Sequence, residues 1–98
     1  MLVQLAGLSF RPKSTKLLVA EFEINREFRL EPEPDNPYDP WAVRVIDELT
    51  NEFVGYIPRT ASKKVAEALD RGYPTDIYAV LHTPDPKTPI LEIVNIDE

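Results

Sequence analysis

Four prolines fall within the ten residues EPEPDNPYDP at positions 31–40, and neither a helix interior nor a central strand can hold them. Each proline fixes φ near −65° and removes a backbone donor, so the segment is a loop whose path is largely preset. Asp35 and Asn36 suit an Asx-type turn, in which the side chain accepts a hydrogen bond from the backbone two residues on. Tyr38 and Asp39, held between Pro37 and Pro40, are then presented with little conformational entropy left to lose on binding. The same residues also admit a purely structural role: Tyr38 as a plug for the loop, and Asp39 as a turn cap or a partner for Arg59.

The pattern on either side of this loop is mostly that of short strands. Val3, Leu5 and Gly7-Leu8 read as a first strand. The stretch Arg11 to Lys16 reads as a loop, because Pro12 and its polar neighbours interrupt any apolar period. Phe22, Ile24, Phe28 and Leu30 share one parity, which predicts strand from about Glu27 onward. Leu17 to Phe22 fits either a strand or one to two helical turns. Trp41 to Asp47 alternates as a strand, with Trp41, Val43 and Val45 on one face and Ala42, Arg44 and Ile46 on the other. Glu48 to Glu52 makes the turn, and Phe53 to Ile57 returns as its partner, with Gly55 allowing a bulge or a close backbone approach. Thr60 is placed as the N-cap of a helix reaching Arg71, with Ala61, Val65 and Leu69 inward, Lys63, Lys64, Glu67 and Asp70 on the wet side, and Gly72 as its stop. Strands over Asp76–Thr83 and Pro89–Ile96 follow, joined by Pro84 to Lys87. The expected fold is mainly β with one or two helices: a small OB-like or SH3-like barrel of about six strands, forming one domain over residues 1–98.

Composition removes most chemistries. The chain has no cysteine and one histidine, His82, so thiolate metal sites and disulfides are excluded and a protein-only zinc site would rest on carboxylates. His82 has a parity opposed to Ile77, Ala79 and Leu81 and is expected to face outward. Gly7, Gly55 and Gly72 are too far apart for a phosphate-cradling loop. The pairs Glu31/Glu33 and Asp35/Asp39 read as solvated carboxylates or strand-edge charges. No catalytic constellation emerges, so the expectation is a binding module without cofactor or metal. The opening MLVQLAGLSF is too short for a signal peptide and no apolar run spans a bilayer, which predicts a soluble, intracellular, cytoplasmic protein. Seventeen acidic against eleven basic residues give a net charge of −6, which disfavours a broad, non-specific grip on duplex DNA.

The run Glu33 to Val43, with DNPYDPWAV at its centre, resembles the signature of the HIRAN domain, a family named for its place at the N-terminus of helicase-like transcription factors and related repair translocases. Val54-Gly55-Tyr56-Ile57-Pro58-Arg59 followed by a helix resembles a second signature, and Gly7-Leu8-Ser9-Phe10 a third. Their order and spacing agree across nearly the whole chain. The resemblance implies an OB-like barrel that captures the free 3′-hydroxyl end of single-stranded DNA. In that reading bases stack on Phe10, Tyr38 or Tyr56, while Asn36, Tyr38 and Asp39 recognise the sugar end. Arg59 holds a phosphate, and Arg11, Lys13, Lys16, Lys63 and Lys64 supplement it. Ser9 stands where DNA-binding members carry an arginine. The implied setting is DNA repair, with a stand-alone domain acting as a monomer or weak dimer beside a helicase, nuclease or other repair protein. Two other readings stay open: an adaptor using its acidic surface on a basic protein, and an enzyme of unrecognised type.

Overall fold

The computed structural model describes residues 1–71 and 76–96. Six strands, β1 (Leu2–Gln4), β2 (Glu27–Pro32), β3 (Val43–Asp47), β4 (Phe53–Tyr56), β5 (Tyr78–Thr83) and β6 (Ile90–Val94), are joined by helices α1 (Lys13–Ala20) and α2 (Arg59–Arg71). All pairings are antiparallel, in the order β1-β6-β5-β2-β3-β4. The sheet curls into a half-barrel whose two edges meet: just beyond β1, Ala6 pairs with Tyr56 at the end of β4. Ala6 N–H donates to Tyr56 O at 2.9 Å and Tyr56 N–H returns the bond at 2.8 Å. The mainly-β barrel expected from the alternation is thus the fold observed.

The alternating positions supply the core. Phe28 and Leu30 of β2, Val43 and Val45 of β3, Val54 of β4, Ala79 and Leu81 of β5, and Leu91 and Ile93 of β6 are all buried. Each large aliphatic among them contributes about 1.5–3 kcal/mol by leaving water. Val19 of α1, Phe22 after it, and Val65 and Leu69 of α2 pack into the same core.

Four local expectations are corrected. Arg11 to Lys16 is not all loop: α1 starts at Lys13, with Pro12 as its N-cap residue. A proline is tolerated at a helix start, where no intrahelical donor is lost, and Thr15 and Val19, one turn apart, bury the inner face. The first strand stops at Gln4, and Gly7, at φ 77°, turns the chain into a 3₁₀ turn over Leu8–Phe10. Trp41 does not extend β3. Ala42 N–H donates to Asp39 O at 3.0 Å and Ala42 O accepts from Glu33 N–H at 2.8 Å, so residues 39–42 turn and leave Trp41 42% exposed. Pro58, rather than Thr60, caps α2, since its carbonyl accepts from the N–H groups of Ala61 and Ser62. The buried stripe accordingly runs Ser62, Val65, Leu69. The helix stop expected at Gly72 lies outside the described residues.

Candidate functional site

The proline loop is held from within by two short side chains. Asn36 Oδ1 accepts from the backbone N–H groups of Tyr38 (2.8 Å) and Asp39 (3.0 Å), the expected Asx turn. Its amide nitrogen donates to Glu33 Oε1 at 2.7 Å, so both ends of the amide are engaged and its orientation is fixed. Asp39 Oδ1 accepts from Trp41 N–H (2.9 Å) and Oδ2 from the buried Ser62 hydroxyl (2.9 Å), which ties the loop to α2. Asp39 therefore caps a turn, as its structural reading held, but its tether is Ser62 and not Arg59. The Tyr38 ring fills no gap in the loop. It stands 84% exposed.

The opposite wall comes from the two ends of the barrel seam. Leu8 anchors the 3₁₀ turn in the core while Phe10, two residues on, is 89% exposed. A side chain at Gly55 would stand 2.5 Å from Ala6 O, so glycine is what lets the sheet edges meet. The pairing with β3 also shifts register there, between Val45 and Ile46; both readings of Gly55 hold. Tyr56 donates its hydroxyl to Glu33 Oε1 at 2.9 Å. Burial, and then the adjacent Glu33 carboxylate, push the phenol above its ordinary pKa. Glu33 thus receives both Asn36 and Tyr56 and lies 3.6 Å from Arg44 Nε.

Together these elements enclose a cleft of about 410 Å³ lined by Phe10, Asn36, Tyr38, Asp39, Tyr56 and Arg59 over a floor of Ala6, Gly7, Ala42 and Ile57. Six of the eleven residues named from the sequence for DNA contact converge on it. Arg11 does not: its Nε donates to Phe53 O at 3.1 Å and its guanidinium lies 4.0 Å from the centre of the Phe53 ring. Nor does Lys63, which sits over Trp41 at 5.4 Å and 4.0 Å from Glu67. Arg59 opens α2, and its guanidinium has no hydrogen-bond or ionic partner among the described residues. The N–H groups of Arg59 and Thr60 likewise find no acceptor there, which suits an anion beside a helix start.

The HIRAN domain family profile matches residues 1–95. The chain belongs to the HIRAN domain family. HIRAN domains are in general DNA-binding modules, with a binding rather than a catalytic role. Among solved structures the chain resembles a Lactobacillus plantarum protein, with TM-score 0.81 and 21% identity over 94% of this chain and 87% of that one. It also resembles the HIRAN domain of human HLTF, with TM-score 0.73 and 20% identity over 95% of this chain and 71% of that one. Among curated proteins no match was found.

In this HIRAN domain the cleft continues past its floor. A second depression of about 480 Å³ shares Ala6 and Gly7 with it and reaches Ser9, Lys16, Lys87 and Thr88. Neither Lys16 nor Lys87 forms a salt bridge among the described residues. Sequence reasoning took Glu33 for a surface charge and missed Ser62 entirely. The i, i+3 spacing of Glu33 and Asn36 was a signal for the first. Nothing in the sequence marked the second, because its partner lies across the fold. No helix among the described residues is long and apolar enough to cross a membrane.

Proposed function

We propose that this HIRAN domain, acting as one unit, captures the end of single-stranded DNA and prefers a free 3′-hydroxyl. The observation that carries the reading is the pair of exposed aromatics, Phe10 and Tyr38, set on opposing walls of one cleft with the unpaired Arg59 at its rim. Aromatic faces of this kind stack bases with little regard to sequence, at about 1–3 kcal/mol per base. Arg59 and the free N–H groups at the start of α2 suit one phosphate. The Asp39 carboxylate, in the same cleft, accepts a hydrogen bond from a terminal hydroxyl but repels a terminal phosphate, which supplies a physical basis for end selection. The net charge of −6 confines attraction to this local patch and works against coating of duplex DNA.

The test is a fluorescence anisotropy titration with a short oligonucleotide ending in a 3′-hydroxyl or a 3′-phosphate. The hydroxyl form is expected to bind at least ten-fold tighter, and both to weaken as salt rises. Equal affinity for the two ends rejects end recognition. Absence of binding at low salt rejects the cleft as a DNA site.

A further inference from the structure

The proline loop borders a second groove that the DNA reading leaves unused. It lies between the loop and α2, has a volume of about 570 Å³, and is walled by Pro32, Pro34 and Pro40 facing Ala66 and Leu69, with Trp41 between them. The only charged residues lining it are Glu67 and Asp70, both exposed. Trp41 is the only tryptophan in the chain. It is 42% exposed, and its indole N–H donates to no acceptor among the described residues. A half-exposed tryptophan beside three prolines is a costly apolar surface to leave in water. The Lys63 contact with Glu67 is 4.0 Å long and solvent-exposed, too weak to cancel the acidic rim. Asp70 has no cationic partner among the described residues.

We propose that this groove docks an extended, proline-containing peptide segment of a partner protein, with Lys or Arg next to its apolar residues. A polyproline II segment enters such a site already ordered and leaves its carbonyls free to accept from an indole N–H. Glu67 and Asp70 complement a basic side chain, and the net charge of −6 steers a cationic partner inward. The same carboxylates repel phosphates, which separates this groove from the DNA cleft on the other wall of the loop.

The sole tryptophan makes the site its own reporter. A synthetic peptide of alternating proline and leucine ending in two arginines is titrated against Trp41 emission. Two control peptides carry glutamates for the arginines, or serines and glycines for the leucines and prolines. The first is expected to shift the emission to the blue and to bind at least ten-fold tighter than either control. Glu67→Lys combined with Asp70→Lys is expected to weaken that binding at least ten-fold while 3′-hydroxyl oligonucleotide binding is retained. Both substitutions sit on the exposed face towards the C-terminal end of α2, where lysine suits the helix dipole, and circular dichroism verifies folding. The proposal is overturned by an unchanged Trp41 emission, by equal binding of all three peptides, or by a double variant that binds like the parent. It is equally overturned if sedimentation shows that a second copy covers Trp41, or if the oligonucleotide displaces the peptide.

Discussion

The β3–β4 turn and the proline loop are both tied by a short side chain that reaches back to its own backbone, yet they end in opposite states. At the turn, the buried Asp47 accepts two hydrogen bonds from Arg26, at 2.8 and 2.7 Å, and two more from the N–H and hydroxyl of Thr50. Every oxygen is used inward. The ring of Phe22 packs under the Arg26 guanidinium at 4.4 Å, sealing the assembly against the barrel. In the loop, Asn36 and Asp39 cap backbone donors in a similar way, but the Tyr38 side chain between them is turned out to water. The same local device locks one turn shut and holds the other open around Tyr38. Order in the backbone therefore says nothing about whether a segment is scaffold or site; where the intervening side chain points decides that.

Three substitutions probe this contrast, from the largest expected effect to the smallest. Asp47→Ala strands the partly buried Arg26 and uncaps Thr50, and is expected to cost about 3 kcal/mol in urea unfolding; oligonucleotide affinity of the folded protein should not change. The same group gives a pH signature. Burial alone would raise the Asp47 pKa, but the hydrogen bonds from Arg26 and Thr50 outweigh it and hold the carboxyl below its ordinary value. Its contribution is complete above the ordinary carboxylate range near 3.9 and is lost as pH falls through the lowered pKa. Acid unfolding in that window should flatten in the alanine variant.

Tyr38→Ala tests the open turn. A loss of about 1–3 kcal/mol in oligonucleotide binding is expected, the worth of one stacked base, with urea stability within about 0.5 kcal/mol of the parent. A variant that binds normally but unfolds early would make Tyr38 scaffold and erase the contrast. Asn36→Ala should fall between the two classes. It frees two backbone donors at the exposed loop and removes the hydrogen bond to Glu33, costing about 1 kcal/mol of stability. It should also slow oligonucleotide association, because the loop must then be ordered on binding; stopped-flow mixing reads that rate.

Much of this was legible before any coordinates. Period-two alternation in residues 27–30 and 43–45 was enough to place two strands, because one face of each is buried against the curl, and 53–57 followed as the return strand of the hairpin. The proline spacing made 33–40 a loop, although Glu31 and Pro32 still pair with Arg44 and Val43 at the end of β2, and Asp35-Asn36 implied the Asx turn. What stayed hidden depended on neighbours distant in sequence. Arg11 looked like a free cation, yet the Phe53 ring and carbonyl claim it. Ser62 drew no notice in the sequence, and only the arrival of Asp39 across the fold gives its hydroxyl a purpose. The helix at Lys13 was masked by a proline that marks its beginning rather than a break. Trp41 was given the same face as Val43 and Val45 by parity, but parity fails where a turn intrudes before the strand starts.

The pairing of Ala6 with Tyr56 has a kinetic consequence. One wall of the cleft arrives with the opening residues of the chain and the other from its middle, so half the sequence must be threaded into place before they touch. Closing so long a loop is entropically slow and its benefit comes late. A partly folded chain can own the proline loop, with Tyr38 already displayed, and still lack the surface that faces it. Binding competence is then a certificate that the barrel has finished forming. A ligand gripping both walls acts as a clasp on the seam, deepening the native basin by an amount that grows with the logarithm of its concentration.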